Sequence, residues 1–313
     1  MEFFSKHFEL NKINEGIFAA IAKDGGGAVG NAGFVDLGNK TIIFDTFNTQ
    51  QAAEDLIAAA EKFTGRKPSW VINSHWHGDH IRGNQVFKEA EIVSTHRTFE
   101  QMKKVHPDRI KNQKDGMDEL SEYIKTLLEN HCSIDNPNEK NNMDKKISFL
   151  KEIESSLPGL KLTLPTCTFK AEFEIIGQKR RAKLICFGPG HSICDSILYL
   201  PDDHTVFMGD LLFVETHPSL FEESNLENWI KSLESVLQFN IQLAVPGHGQ
   251  VGAAEHLGIL KNYLKRFVLM KQEDTYSDEI PYEYLQWSNG ELYQQNIKMI
   301  SKNALQKKEE ARK

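Results

Sequence analysis

A layered α/β fold is what this sequence predicts, with short strands carrying polar side chains to their ends. Short apolar, β-branched runs alternate with amphipathic segments of helical period. Ligand-forming side chains stand just after such runs at 75–80, 191, 210 and 248. In layered α/β folds that end of the strand is where ligands bind. The chain has 313 residues, 40% hydrophobic and 26% charged, which is enough for a sizeable core in a globular balance.

Gly16 to Ala22 and Gly33 to Leu37 read as strands around a glycine-rich turn. Thr41 to Phe44 is a β-branched run ended by Asp45. Asn48 and Gln51 have the spacing of a capping box. Ala52, Ala53, Leu56, Ile57, Ala60 and Phe63 then follow at helical period, and Pro68 closes the unit. Trp70 to Ile72 is a short apolar strand. Residues from about 97 to 165 read as a helical insert with two apolar stripes, Met117, Leu120, Ile124, Leu127 and Met143, Ile147, Leu150, Leu157. Strands resume at Thr168 to Ile176, Arg181 to Phe187, Ser196 to Leu200 and Thr205 to Met208. Ser224 and Glu227 read as the cap of the next helix, and Leu243 to Val245 as a last strand. The expected organisation is a catalytic domain over 1–270 and a C-terminal helical extension over 271–313.

A net charge of -7 and a pI of about 6.0 speak against a nucleic-acid or anionic-membrane partner. Glu2, Lys6 and Glu9 interrupt any apolar run at the N-terminus, so no signal peptide is read there. No stretch reaches the ~20 apolar residues of a membrane span. Cys132, Cys167, Cys186 and Cys194 form no C-x-x-C pair. They are expected to be reduced thiols of a cytoplasmic protein.

His75-Trp-His77-Gly-Asp79-His80 puts four donors within six residues. Imidazoles with a carboxylate suit zinc, iron or manganese, not calcium or magnesium. On a tight loop, residues two apart can address one ion, and Asp79 and His80 can serve a second. Three later residues are candidates to complete the spheres. They are His191 in Gly188-Pro-Gly-His191, Asp210 in Met208-Gly-Asp210, and His248 in Pro246-Gly-His-Gly249.

This order and spacing resembles the metallo-β-lactamase superfamily, whose pattern is H-x-H-x-D-H, then a histidine, an aspartate and a histidine. The resemblance runs from the first strands to about residue 270. It implies an αββα sandwich of two mixed β-sheets with the metals along one edge. It also implies that His75, His77 and His191 hold one ion, Asp79, His80 and His248 the other, and that Asp210 bridges. Where this chain has Asp210, one broad class of true β-lactamases has a cysteine and another a serine. Aspartate resembles the glyoxalase II, lactonase and general hydrolase branches.

The expected activity is hydrolysis of an ester, thioester, lactone or amide bond in a small-molecule substrate. Two divalent ions, zinc with iron or manganese as alternatives, would share a hydroxide, and Asp79 would guide its proton. β-Lactam hydrolysis is expected at most as a side activity. The alternatives are a mononuclear-iron oxidoreductase of persulfide-dioxygenase type and a metal-dependent phosphodiesterase. The basic residues of the insert are offset by acids, which disfavours the latter. A homodimer is left open, with the insert as lid, dimer face or packing.

Weaker signals stand beside this pattern. Gly25, Gly27 and Gly30 match G-x-G-x-x-G, but a strand follows them where a dinucleotide site needs a helix; they read as a flexible hairpin tip. Asp45 reads equally as a ligand-orienting acid or a turn residue. Trp76 either packs beneath the loop or lines a pocket, and His217 is either a pocket or a loop residue. The other histidines, among them His106, read as surface or supporting residues.

Overall fold

A computed structural model describes residues 2–310, with side chains described through 301. The last three residues of the expected C-terminal extension lie outside that range. The chain divides into two compact units, residues 1–169 with 176–180, and residues 170–175 with 181–313.

The first unit is built on a seven-stranded mixed sheet. β1 (Phe8–Asn14), β2 (Ile17–Ala22), β3 (Ala32–Asp36) and β4 (Thr41–Phe44) form an antiparallel meander. Helix α1 (Gln50–Thr64) follows, and β5 (Trp70–Ile72) then adds parallel to β4. One-turn α2 (Gly78–Ile81) leads to β6 (Glu91–Thr95), parallel to β5. Helices α3 (His96–Asp115), α4 (Met117–His131) and α5 (Pro137–Ser156) precede β7 (Cys167–Phe169), which closes the sheet parallel to β6. The buried face of α1 (Ala52, Ala53, Leu56, Ala59, Ala60) belongs to one core with Phe18, Phe34, Ile43 and Val71. Thr49, not Asn48, caps α1, accepting from the Ala52 N–H at 3.3 Å.

The second unit carries a five-stranded mixed sheet of β8 (Glu172–Ile176), β9 (Arg181–Gly188), β10 (Asp195–Leu200), β11 (Thr205–Val214) and β12 (Leu243–Gly249). β9, β10 and β11 run antiparallel, and β12 lies parallel to β11. Helices α6 (Leu226–Val236), α7 (Ala254–Glu273) and α8 (Glu291–Glu310) complete it. Asn225, not Ser224, caps α6, accepting from the Asn228 N–H. His217 is buried in an aromatic cluster with Tyr263, Trp287 and Tyr293, its Nδ1 2.9 Å from the Tyr263 hydroxyl. Of its two readings the loop one holds: it lies in the segment between β11 and α6, buried, and burial holds its pKa below the usual histidine value.

Three expectations change. The insert contains three helices; α3 has a Pro107 inside it and a largely charged sequence, which hid its period. The run read as one strand over 168–176 is two strands in different sheets. The glycine-rich segment joins β2 to β3 as a hairpin should, but much of it is packed and not free at a tip. Gly27 donates to His7 Nδ1, and the backbone of Gly30 lies so close to His80 that a Cβ there would sit 2.8 Å from the ring.

Candidate metal centre

In the first unit, β5 ends at Ile72 and the chain turns through Asn73 to His80. His75, His77 and His80 are buried, and Asp79 is partly exposed. The ligand atoms of His75 and His77 lie within 4.8 Å of each other, as do those of Asp79 and His80.

This loop is built around Asp45. Its backbone is left-handed, φ 59, a conformation that aspartate tolerates better than most residues. The carboxylate is fully buried and accepts the Ser74 N–H at 2.8 Å, the Ser74 hydroxyl at 2.7 Å and His80 Nδ1 at 2.8 Å. Ser74 Oγ, having given its proton to Asp45, accepts from His75 Nδ1 at 2.9 Å. Both imidazoles therefore carry the proton on Nδ1 and turn the Nε2 lone pair toward the ligand side, as metal-binding histidines do. Burial pushes the Asp45 carboxyl above its usual pKa, while His80 and Ser74 pull it back. Of the two readings of Asp45, the orienting one holds.

A second polar lattice lies under the loop. Asn73 and Asn84 exchange side-chain hydrogen bonds at 3.0 and 2.8 Å. Thr46 bonds Asn84 through its hydroxyl and the His80 carbonyl through its N–H. None of these three was picked out by motif, because isolated Asn and Thr residues carry no spacing signal. Trp76 is buried beneath the loop; its carbonyl accepts from His106 Nε2 at 2.7 Å, and Arg109 lies over its ring at 4.7 Å. Burial lowers the His106 pKa to about 4.

In the second unit, three elements deliver His191, Asp210 and His248. Asp210 and His248 do not follow their strands as expected but lie within β11 and β12, where the pairing register shifts beside Gly209 and Pro246. His191 Nε2 and His248 Nε2 approach the same Asp210 oxygen, Oδ2, at 3.1 and 3.4 Å. Gly247 is required there, since a Cβ would fall 1.9 Å from Asp210 Oδ1. Phe213 stacks on His248 and Trp229 packs edge-on against His191.

The His191 loop has its own supporting acid, Asp195. Its carboxylate accepts the Gly190 N–H at 2.9 Å, the Ser192 N–H at 3.0 Å and the Ser192 hydroxyl at 2.6 Å. The Ser224 hydroxyl, freed from the expected capping role, donates to the His191 carbonyl at 2.6 Å. No motif or spacing in the sequence marks Asp195.

The candidate ligands are imidazoles and carboxylates, a donor set that fits zinc, iron or manganese. The model of the metallo-β-lactamase superfamily matches residues 25–248. The chain belongs to that superfamily. Among solved structures, it is similar to a metallo-β-lactamase from Pontibacter korlensis, with 14% identity, a TM-score of 0.58, and coverage of 83% of this chain and 99% of that one. It is likewise similar to the DIM-1 metallo-β-lactamase, with 18% identity, a TM-score of 0.58, and coverage of 83% and 98%. No curated protein matches the sequence. The two mixed sheets with their helices are the metallo-β-lactamase fold. Membership and the His/Asp clusters together suggest a metal-dependent hydrolase. No helix among the described residues is long and apolar enough to cross a membrane.

Proposed function

We propose that the two His/Asp clusters form one dinuclear zinc centre, and that the protein hydrolyses an ester, thioester, lactone or amide bond of a small molecule. His75, His77 and His191 would hold one ion, Asp79, His80 and His248 the other, and Asp210 would bridge. The observation that carries this reading is the convergence of His191 and His248 on a single Asp210 oxygen, at 3.1 and 3.4 Å. A carboxylate shared by imidazoles from two elements is the arrangement a bridging ligand needs.

Two ions bound there would supply a Lewis acid and bring the pKa of a shared water toward ~7. The protein's part is orientation. Asp45 fixes the tautomers of His75 and His80, and Asp195 fixes the loop of His191. Asp79 is partly exposed, so it can accept a proton from the nucleophile while its neighbours stay buried. Net charge supports a small-molecule substrate over nucleic acid. The similar structures carry the name β-lactamase, but with aspartate at 210 we place β-lactam hydrolysis at side activity.

The test is a panel of thioester, lactone and ester substrates with nitrocefin alongside, on metal-quantified protein. Activity on a member of the first group should vanish on exhaustive chelation and return with zinc. One iron per chain, with oxygen consumed on a persulfide, would replace this reading with the oxidoreductase one.

A further inference from the structure

Cys186 and Cys194 bracket the loop that carries His191. Cys186 lies on β9, opposite Ser196 of β10, and Cys194 lies in the turn just before β10. Their sulfurs are 3.2 Å apart. A disulfide bond is ~2.05 Å long, so closure takes a movement of about 1 Å between a strand side chain and one in the turn that leads into the neighbouring strand. The Gly188 N–H points at Cys186 Sγ at 3.3 Å, where it favours negative charge on that sulfur. Cys194 is buried and Cys186 is half-buried, so a small oxidant meets Cys186 first.

We propose that Cys186 and Cys194 are a reversible redox modification site, closing to a disulfide that restrains the His191 loop. The oxidant is a low-molecular-weight disulfide. The Cys186 thiolate attacks one of its sulfurs, forming a mixed disulfide and releasing one thiolate. The Cys194 thiolate then attacks Cys186 Sγ, forming the internal bond and releasing the second thiolate. Two protein thiols are oxidised, one external disulfide is reduced to two thiols, and the two protons pass to the released thiolates.

The loop feels this bond directly. The Cys194 N–H donates to Ser192 Oγ at 3.3 Å, and Ser192 Oγ donates to Asp195. Asp195 in turn holds the N–H groups of Gly190 and Ser192, on either side of His191. Drawing Cys194 toward β9 pulls on this connected piece. The bridge stands without the metallohydrolase reading; its effect on metal retention rests on it.

The experiment uses the full-length, metal-loaded protein equilibrated in oxidised or reduced glutathione. Thiols are counted after alkylation, linked peptides are mapped, and metal release to a chelator is timed. Reduced protein should show all four thiols of the sequence, and oxidised protein two, with a linked 186–194 peptide that dithiothreitol opens. Oxidised protein should release metal about tenfold faster than reduced, the scale of a disturbed supporting shell. Cys186→Ser and Cys194→Ser should keep the reduced protein's metal content and lose the redox response. Four thiols persisting in excess oxidised glutathione overturn the site, and a bridge that dithiothreitol does not open overturns its reversibility. Equal release rates in the two states overturn the coupling to His191. A chain that binds no metal in either state overturns the metallohydrolase reading, while the thiol count still decides the bridge.

Discussion

Asp45 reaches two proposed ligands at once, His80 directly and His75 through Ser74. Asn in its place offers one acceptor oxygen where the native group accepts three hydrogen bonds, and its NH2 faces other donors. Asp45→Asn should therefore lower metal affinity by about 10- to 100-fold, read by chelator competition; unchanged affinity would remove Asp45 from the site. Gly247→Ala is expected to lose metal for a steric reason, since its Cβ would overlap Asp210 Oδ1. Metal content per folded chain, with circular dichroism as the check on folding, reads that outcome. Such residues were only partly legible in the sequence. The seven candidate ligands announce themselves by type and spacing, whereas Asp45 was ambiguous and Asn73, Asn84, Thr46 and Asp195 were silent. Their role depends on which backbone groups fold back to meet them.

His106 adds a pH dependence at the same scale. It is 1% exposed, and burial, opposed by the bond to the Trp76 carbonyl, sets its pKa at about 4 against 6.5 in the unfolded chain. The folded chain binds this proton less readily than the unfolded one. Stability from neutral His106 is thus full above pH 6.5 and is lost as pH falls toward about 4, by about 3 kcal/mol in all. Denaturant unfolding of the wild type and of His106→Gln, at constant metal content, should show the wild type losing more stability between pH 7 and 5. Parallel curves would contradict it.

At the scale of elements, α3 is the clearest gap between sequence and structure. Lys103, Lys104, Asp108 and Arg109 crowd its sequence with charge, yet Met102, His106 and Ile110 form a buried face. That face was readable only with the partner it packs on, the Trp76 backbone included. The strands of ligand-bearing loops were legible because apolar runs closed by Asn73, Gly188, Gly209 and Pro246 are short and abrupt. β11 and β12 ran longer than their apolar cores because backbone pairing resumes beyond the irregularity at Asp210.

The excursion 176–180 is held to β3 by Asp36, which pairs with Lys179 at 3.0 Å and also with Arg66. Burial works against this carboxylate, but Lys179, the Gly38 N–H and Arg66 outweigh it and hold the pKa below the usual aspartate range. Its contribution is therefore present above the unfolded pKa of ~3.9 and lost as pH falls through the lower folded value. Backbone amides at 36–40 and 176–180 should lose exchange protection below pH 4 sooner than those of β4. In Asp36→Asn that protection should already be reduced at neutral pH.

For the whole molecule, each unit has its own sheet, and the family match spans residues of both. Fold class and family were legible because the candidate ligand pattern is ordered along the chain from His75 to His248. Substrate choice was not, since it depends on the surfaces of loops and not on ligand identity.

The most direct test is the metal content of freshly purified and of zinc-reconstituted protein, by elemental mass spectrometry against protein concentration, for wild type and Asp210→Ala. A bridged dinuclear centre predicts two zinc ions per wild-type chain and a loss of at least one in the variant. A single iron in the wild type, or two ions retained undiminished without Asp210, would contradict it.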